Sequence, residues 1–518
     1  MRLNGNECVE SRVTNQRKEE ALVNDEWEVG SEGRRNFLKK AAAGAASVTV
    51  GPALALAPGI ARAERLGLAD VAQEAASAAK TLANGQQVTL TILEPSGSLG
   101  NIKPVAERWT ADTGIQVKYI EVPLDQINQK VLLEAVSKTG SFDLALPASF
   151  GIPDLVGAGA VVNLDQLAAK YEPTNYQADY LYTIANYYKG SLYGYETDGD
   201  AYVMFYLKDW LEDPAEDKKF HAKHGYHLKV PETWEELDAM MAFFNRPSEG
   251  KYGGALFRTR FFIAWEFWVR FQAKGYYPLD NNMKPQFNNA SGVKALEELM
   301  AASKSQYPGA RSNGLFENFE AFGAGDKFCD IGWGGTQKFL NGPKSKVSGR
   351  LAFGPMPGGK VKGKLLQTPY FNWGWNYVVS AFSKQQEIAY LFSLYACSPK
   401  MSTIAVRDPD GYFDPFRKVH YQDPAIIKLY SEPFLKVHEF AMGHSIPDLY
   451  LRGQGEYFDA LRVGVQAADV GEKTPKEALD DVAHRWEQIT DRMGRQSQIV
   501  QWRFLKDNYP AAIRHRLI

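Results

Sequence analysis

The chain of 518 residues carries 59 Lys and Arg against 61 Asp and Glu, a formal net charge of −2 at pH 7. That near-neutral balance argues against nucleic acid as a partner, which would require a basic face, and the length suffices for two substantial lobes. Aromatic residues make up 13% of the chain and cluster in places that a core does not require.

Gly33-Arg34-Arg35-Asn36-Phe37-Leu38-Lys39-Lys40 resembles the twin-arginine export motif. An Ala- and Gly-rich run over 41–57 follows, and then Ala61-Arg62-Ala63, an A-x-A type cleavage site. The run is too weakly apolar to span a membrane. An Ala-rich helix with a basic flank is the alternative, but motif, run and cleavage site in that order point to a signal over 1–63 with a long leader. Cys8 precedes the arginines and would leave with the signal. No lipid-attachment Cys then remains, and a soluble periplasmic protein is expected.

Residues 64–85 read as an Ala-rich helical lead-in, loosely attached. Val88, Leu90 and Ile92 alternate in a strand over 87–93 that stops at the turn Glu94-Pro95-Ser96-Gly97-Ser98. A helix over 101–113 ends at Gly114, a strand covers 115–122, and Asp125 caps a helix through Ile127, Val131 and Ala135 to Gly140. A third strand, 142–146, ends at Pro147-Ala148-Ser149-Phe150. Strand–helix–strand–helix–strand at short spacing implies a parallel sheet. Ligands of such sheets collect at the carboxyl ends of strands, where Ser96, Ser98, Ser149 and Phe150 stand.

The stretch 189–210 turns at Gly190–Ser191 and runs extended to a polar break at Glu196–Asp200, where Gly199 frees the backbone. It resumes as an apolar strand, Tyr202–Tyr206. Residues 211–225 are charged and aperiodic, a surface insertion. Thr233 and Glu236 form a capping box for a helix that buries Leu237, Met240, Met241 and Phe244. Trp265 and Trp268 share a helical face, with Trp268 assigned to the core. Phe328–Trp333 is a strand running into Gly334-Gly335-Thr336, and 351–356 leads to a turn at Pro357-Gly358-Gly359. Asn372-Trp373-Gly374-Trp375 precedes another apolar strand, 387–398 is helical, and 407–416 is a loop. Thr474-Pro475-Lys476-Glu477 is a second capping box, opening a helix that buries Ala478, Val482 and Trp486.

No motif for catalysis, a cofactor or a metal emerges. His438 and His444 are six apart, where two zinc ligands on one helix face need four. Asp408–Asp414 lacks the oxygen-ligand order of a calcium loop and reads as a turn. Asp198 and Asp200, two apart on one loop, do not flank a glycosidic bond from opposite sides. Trp333, Trp373 and Trp375 adjoin strand ends and are flanked by Gly, which suits a sugar platform lining a pocket as well as a core. Aromatic faces take the apolar C–H faces of a sugar, while Asp, Asn and Arg take its hydroxyls.

Tyr193-Gly-Tyr195, Asp198-Gly-Asp200 and Phe205-Tyr-Leu-Lys-Asp209, followed by Pro231-Glu-Thr233-Trp-Glu-Glu236-Leu, resemble the central signature of family 1 extracellular solute-binding proteins. These are the periplasmic receptors of ATP-binding-cassette (ABC) sugar importers. Gly471-Glu-Lys-Thr474-Pro-Lys-Glu477-Ala-Leu resembles that family's C-terminal helix, so the resemblance spans roughly 86–495. It implies an α/β, two-lobed periplasmic binding protein fold (type II). The lobes would be discontinuous, 86–198 with 372–405 and 199–371 with 406–518, joined by hinge crossovers near 196–201, 370–376 and 405–415. It implies a monomeric receptor, not an enzyme, that closes on a neutral sugar or oligosaccharide by hinge motion and docks on a membrane permease, with no cofactor and no metal. The ligand would meet Ser96, Ser149 and Phe150 at strand ends, and Asp198 and Asp200 in the first crossover. Asn372, Trp373 and Trp375 would meet it from the second, and Trp265, Trp333 and Arg407 would complete the pocket. The resemblance also puts Cys329 and Cys397 in different lobes, so two buried thiols are expected over the bridge that an oxidising compartment permits. Two alternatives stay open. One is a non-sugar solute, such as iron on adjacent tyrosines (Tyr187-Tyr188 or Tyr276-Tyr277). The other is a periplasmic carbohydrate-processing enzyme.

Overall fold

The computed structural model describes Gly67 and residues 70–518; the twin-arginine motif, Cys8 and the Ala61-Arg62-Ala63 site lie outside the described residues. Eight strands organise the fold: β1 (Thr89–Pro95), β2 (Gln116–Val122), β3 (Leu144–Ala145), β4 (Tyr195–Glu196), β5 (Val203–Leu207), β6 (Cys329–Gly332), β7 (Leu351–Pro355) and β8 (Asn376–Val379). One sheet has the order β2-β1-β3-β8-β4. β1 is parallel to β2 and β3, as the short crossovers require, and β8 joins antiparallel between β3 and β4. The other sheet, β6-β5-β7, is antiparallel. β5 is buried along its whole length, which explains its unbroken apolar sequence. The chain leaves the first sheet at Glu196, enters the second at Val203 and re-enters the first at Asn376.

Most local expectations hold. The helix Leu99–Thr113 stops where Gly114 turns left-handed, at φ 80°. Leu237, Met240, Met241 and Phe244 are buried, and the Thr474–Glu477 box closes in both directions above buried Ala478, Val482 and Trp486. Cys329 and Cys397 are free and buried.

Four expectations change. The helix Val71–Ala83 is no loose lead-in: Ala72, Ala75, Ala76 and Ala79 are buried against the helix Gln386–Ala396. The small side chains that suggested weak attachment are what lets two helices approach closely. Asp125 caps nothing, since the helix Ile127–Ser137 starts after Gln126 without a side-chain cap. Residues 214–224 form a helix, because the Asp213 carboxylate accepts from the N–H of Ala215 and Glu216 and Pro214 fits the first turn. Only Phe220 of that helix is buried, so it carries almost no periodic signal. The box at Thr233 is one-sided: Thr233 accepts from Glu236 N, but the Glu236 carboxylate takes the N–H of Glu232 instead, at 2.8 Å.

Candidate functional site

The crossing from β4 to β5 brings Asp198 and Asp200 to a cavity of about 680 Å³. Trp333, just past β6, and Trp373 and Trp375, just before β8, line the same cavity. The Trp373 ring lies 6.1 Å from Trp333 and 6.0 Å from Trp375 between centroids. Gly374 has φ 69°, and a Cβ there would meet the Phe371 ring and Glu196 Oε2, so glycine is what allows the two flanking indoles to share this wall.

Five residues predicted from distant parts of the chain thus converge, and Arg407 lines the cavity as well, while its guanidinium pairs with Asp423. Ser149, Phe150, Trp265 and Asn372 stand behind that lining. Ser149 Oγ donates to Glu196 Oε2 at 2.9 Å, and Asn372 Oδ1 accepts from Trp333 Nε1 at 2.9 Å. Phe150 and the fully buried Trp265 pack against Trp373 at 6.2 and 5.5 Å. Ser96 is outside the cavity. The turn it begins is covered by Tyr412, whose hydroxyl would lie 2.2 Å from a Cβ at Gly97. Neither tyrosine pair, Tyr187-Tyr188 or Tyr276-Tyr277, lines this cavity.

A third carboxylate, missed in the sequence, comes from Asp414: one oxygen each of Asp198, Asp200 and Asp414 lie within 4.8 Å of one another. All three are buried. Asp200 accepts from Gly374 N at 2.9 Å, Asp198 from Asp414 N at 2.6 Å, and Asp414 from Gly335 N at 2.9 Å and the Tyr430 hydroxyl at 2.7 Å. Gly334 makes this approach possible, since a Cβ there would sit 2.4 Å from the Asp414 carboxyl carbon. The cluster's cation is Lys338, from the helix Gly334–Asn341. Its Nζ lies 3.9 Å from Asp414 and donates to the carbonyls of Asp408, Gly411 and Phe413. His438, rejected as a metal ligand, instead contacts the crossing itself, Nε2 to Gly199 O at 2.8 Å.

Burial sets the charges. It pushes Glu196 and Asp198 well above the usual carboxylate range, with Asp200 and Asp414 adding to the effect at Asp198. Asp200 is pushed up to about 8 by burial and then by Asp414; Asp414 rises to about 6, where Lys338 opposes burial. Burial lowers Lys338 and holds His438 at about 4, neutral at pH 7. At neutral pH the cluster holds protons as well as charge, so it can accept hydrogen bonds from hydroxyls and also donate to them. Hard oxygens of this kind are also cation ligands, but Lys338 already supplies the opposing charge. Asp198 Oδ2 and Trp373 Nε1 are buried and have no hydrogen-bond partner among the described residues.

Residues 105–430 match the family described as bacterial extracellular solute-binding proteins. A Sinorhizobium fredii protein named as a probable amino-acid ABC transporter periplasmic-binding protein is 24% identical over 340 residues, 63% of this chain and 72% of the relative. The mannitol-binding protein of Pseudomonas aeruginosa is 25% identical over 309 residues, 57% of this chain and 65% of the relative. An ABC transporter solute-binding protein from Agrobacterium radiobacter, in complex with ribitol, superposes with a TM-score of 0.66 at 23% identity, over 78% of this chain and 98% of that one. The fold they share is the two-lobed, type II α/β architecture.

Proposed function

Because the chain belongs to the bacterial extracellular solute-binding proteins, we propose that it is the exported receptor of an ABC importer for a sugar or sugar alcohol. The observation that carries this reading is the meeting of three indoles with three carboxylates on one cavity. Indole faces suit C–H surfaces, and carboxylates suit vicinal hydroxyls. Mannitol and ribitol in the names of similar proteins agree with it. An amino acid suits the site less well. Its carboxylate needs a cation beside the indoles and carboxylates, and the three donors of Lys338, the cation of that cluster, are directed at main-chain carbonyls.

The lobes would divide at the crossings, 86–198 with 372–405 and 199–371 with 406–518, and a monomer would close on its ligand about them without altering it. Calorimetry with pentitols, hexitols, mono- and oligosaccharides and L-amino acids tests the ligand class. A polyhydroxylated ligand should bind, be recovered unchanged, and reduce the radius of gyration in solution scattering. Binding of amino acids alone would overturn the reading. Export would follow the twin-arginine route, with cleavage after Ala63. Changing Arg34 and Arg35 to Lys should leave an uncleaved precursor in the cytoplasm; mature protein accumulating normally in the periplasm would refute that route.

A further inference from the structure

The cavity has a second row of aromatic rings that hydroxyl recognition does not use. Phe316 and Phe319 on the helix Leu315–Gly323, Phe339 on the helix Gly334–Asn341, and Tyr412 in the 407–416 loop all line it. The rings run in series. Tyr412 stacks on Phe316 at 6.3 Å and 23°, Phe316 meets Phe319 edge-on at 6.3 Å and 88°, and Phe319 lies 6.3 Å from Phe339. Phe316 is 46% exposed, a large apolar side chain that the fold leaves open to the cavity. The helix Gly334–Asn341 begins beside Trp333 and ends two residues after Phe339. At 1.5 Å per residue its length is about 12 Å, so it forms a wall running from the indole end of the site to the phenylalanine end.

We propose that the ligand is an amphipathic glycoside. Its sugar lies against Asp198, Asp200 and the indoles, and an aryl or branched alkyl aglycone lies along Phe316, Phe319 and Phe339; this rests on the carbohydrate reading above. A second sugar ring could stack on the same rings, but the phenylalanines offer its hydroxyls no partner, and only the edge groups Tyr412, Asp410 and Asn341 of the lining could take them. The lysines of that end, Lys344 and Lys428, are exposed and stay solvated. An apolar aglycone gains from leaving water on the same surface.

The test is calorimetry of the mature protein and of Phe316→Ser with methyl and p-nitrophenyl glycosides of glucose, mannose and galactose, with mannitol and maltotriose alongside. At least one p-nitrophenyl glycoside should bind about tenfold or more tighter than its methyl counterpart. Phe316→Ser should remove most of that ratio while leaving the methyl glycoside's affinity unchanged, with the melting temperature falling by no more than the loss of its contacts with Phe319 and Tyr412 entails. Equal binding of aryl and methyl glycosides, tighter binding of maltotriose, or a ratio that survives Phe316→Ser would each overturn the inference and leave the carbohydrate receptor standing. If neither these compounds nor the polyols and saccharides of the wider panel bind, the carbohydrate reading falls and the inference falls with it.

Discussion

Asp200 sits under two opposing demands. A ligand hydroxyl is best accepted by a carboxylate, yet burial and Asp414 push this group up to about 8. In the unfolded chain an aspartate titrates near ~3.9. Between those values the folded state binds the extra proton, so the penalty is absent below about pH 4, grows as pH rises, and is complete above about pH 8. Asp200→Asn keeps an acceptor for Gly374 N and removes the titration. The variant should exceed the parent in stability at pH 8 by several kcal/mol, with the gap closing toward pH 4. Urea unfolding across that range would exclude Asp200 from the proton-holding group if the gap did not change with pH. Trp373 poses a different conflict. Its flanking glycine left pocket and core equally open, and it is 8% exposed and packs against Phe150, Phe261, Trp265, Trp333 and Trp375, so it is both. Trp373→Ala should therefore cost about 3–5 kcal/mol of stability along with ligand affinity, whereas Trp373→Phe should keep the fold and weaken binding. Thermal melts beside calorimetry separate the two; a negligible melting shift for Trp373→Ala would mean that its neighbours do not depend on it.

Among elements, the helix Gly334–Asn341 and the 407–416 loop act as a pair. Lys338 ties the loop down through three carbonyls, and Gly334 leaves room for Asp414. Together they deliver the third carboxylate and Tyr412. By contrast, the helix Pro475–Met493 lies outside the cavity lining, and its capping box is exposed. Thr474→Ala should lower unfolding free energy by about 1 kcal/mol and leave ligand affinity as it was. A change in affinity would mean that this helix takes part in closure.

At the scale of the whole molecule, the two thiols report on opening. Cys329 lies on the second sheet and Cys397 follows the helix Gln386–Ala396 beside the first, and both are fully buried. Burial pushes the Cys397 thiol up to about 12 and raises Cys329 well above its ordinary value, so neither is a reactive thiolate at neutral pH. Denatured, unreduced mature protein should label at two thiols. The native protein should label slowly, and more slowly when ligand holds it closed. Zero thiols in the denatured protein would mean a bridge, and a labelling rate insensitive to ligand would mean that closure does not protect either site.

What the sequence determined by itself was local. Alternation in Val88, Leu90 and Ile92, the Gly114 stop, the apolar run of β5 and the Thr474–Glu477 box all follow from side-chain period and backbone freedom within a few residues. Asp198, Asp200 and the three indoles were legible too, because each sits in an unusual local setting of strand end, glycine and polar break. Asp414 and Lys338 had no such setting: one lay in what read as an ordinary turn loop, the other in a helix after two glycines. Their role exists only because the 407–416 loop folds Asp414 onto Asp198 across 216 positions of sequence. Tertiary structure also decided which aromatics line the cavity, since Trp265 and Trp333 differ by a layer of packing that no periodicity encodes. It decided the fate of the Val71–Ala83 helix for the same reason, because small side chains favour close packing only where a partner surface is present, and that partner lies some three hundred residues away in the chain.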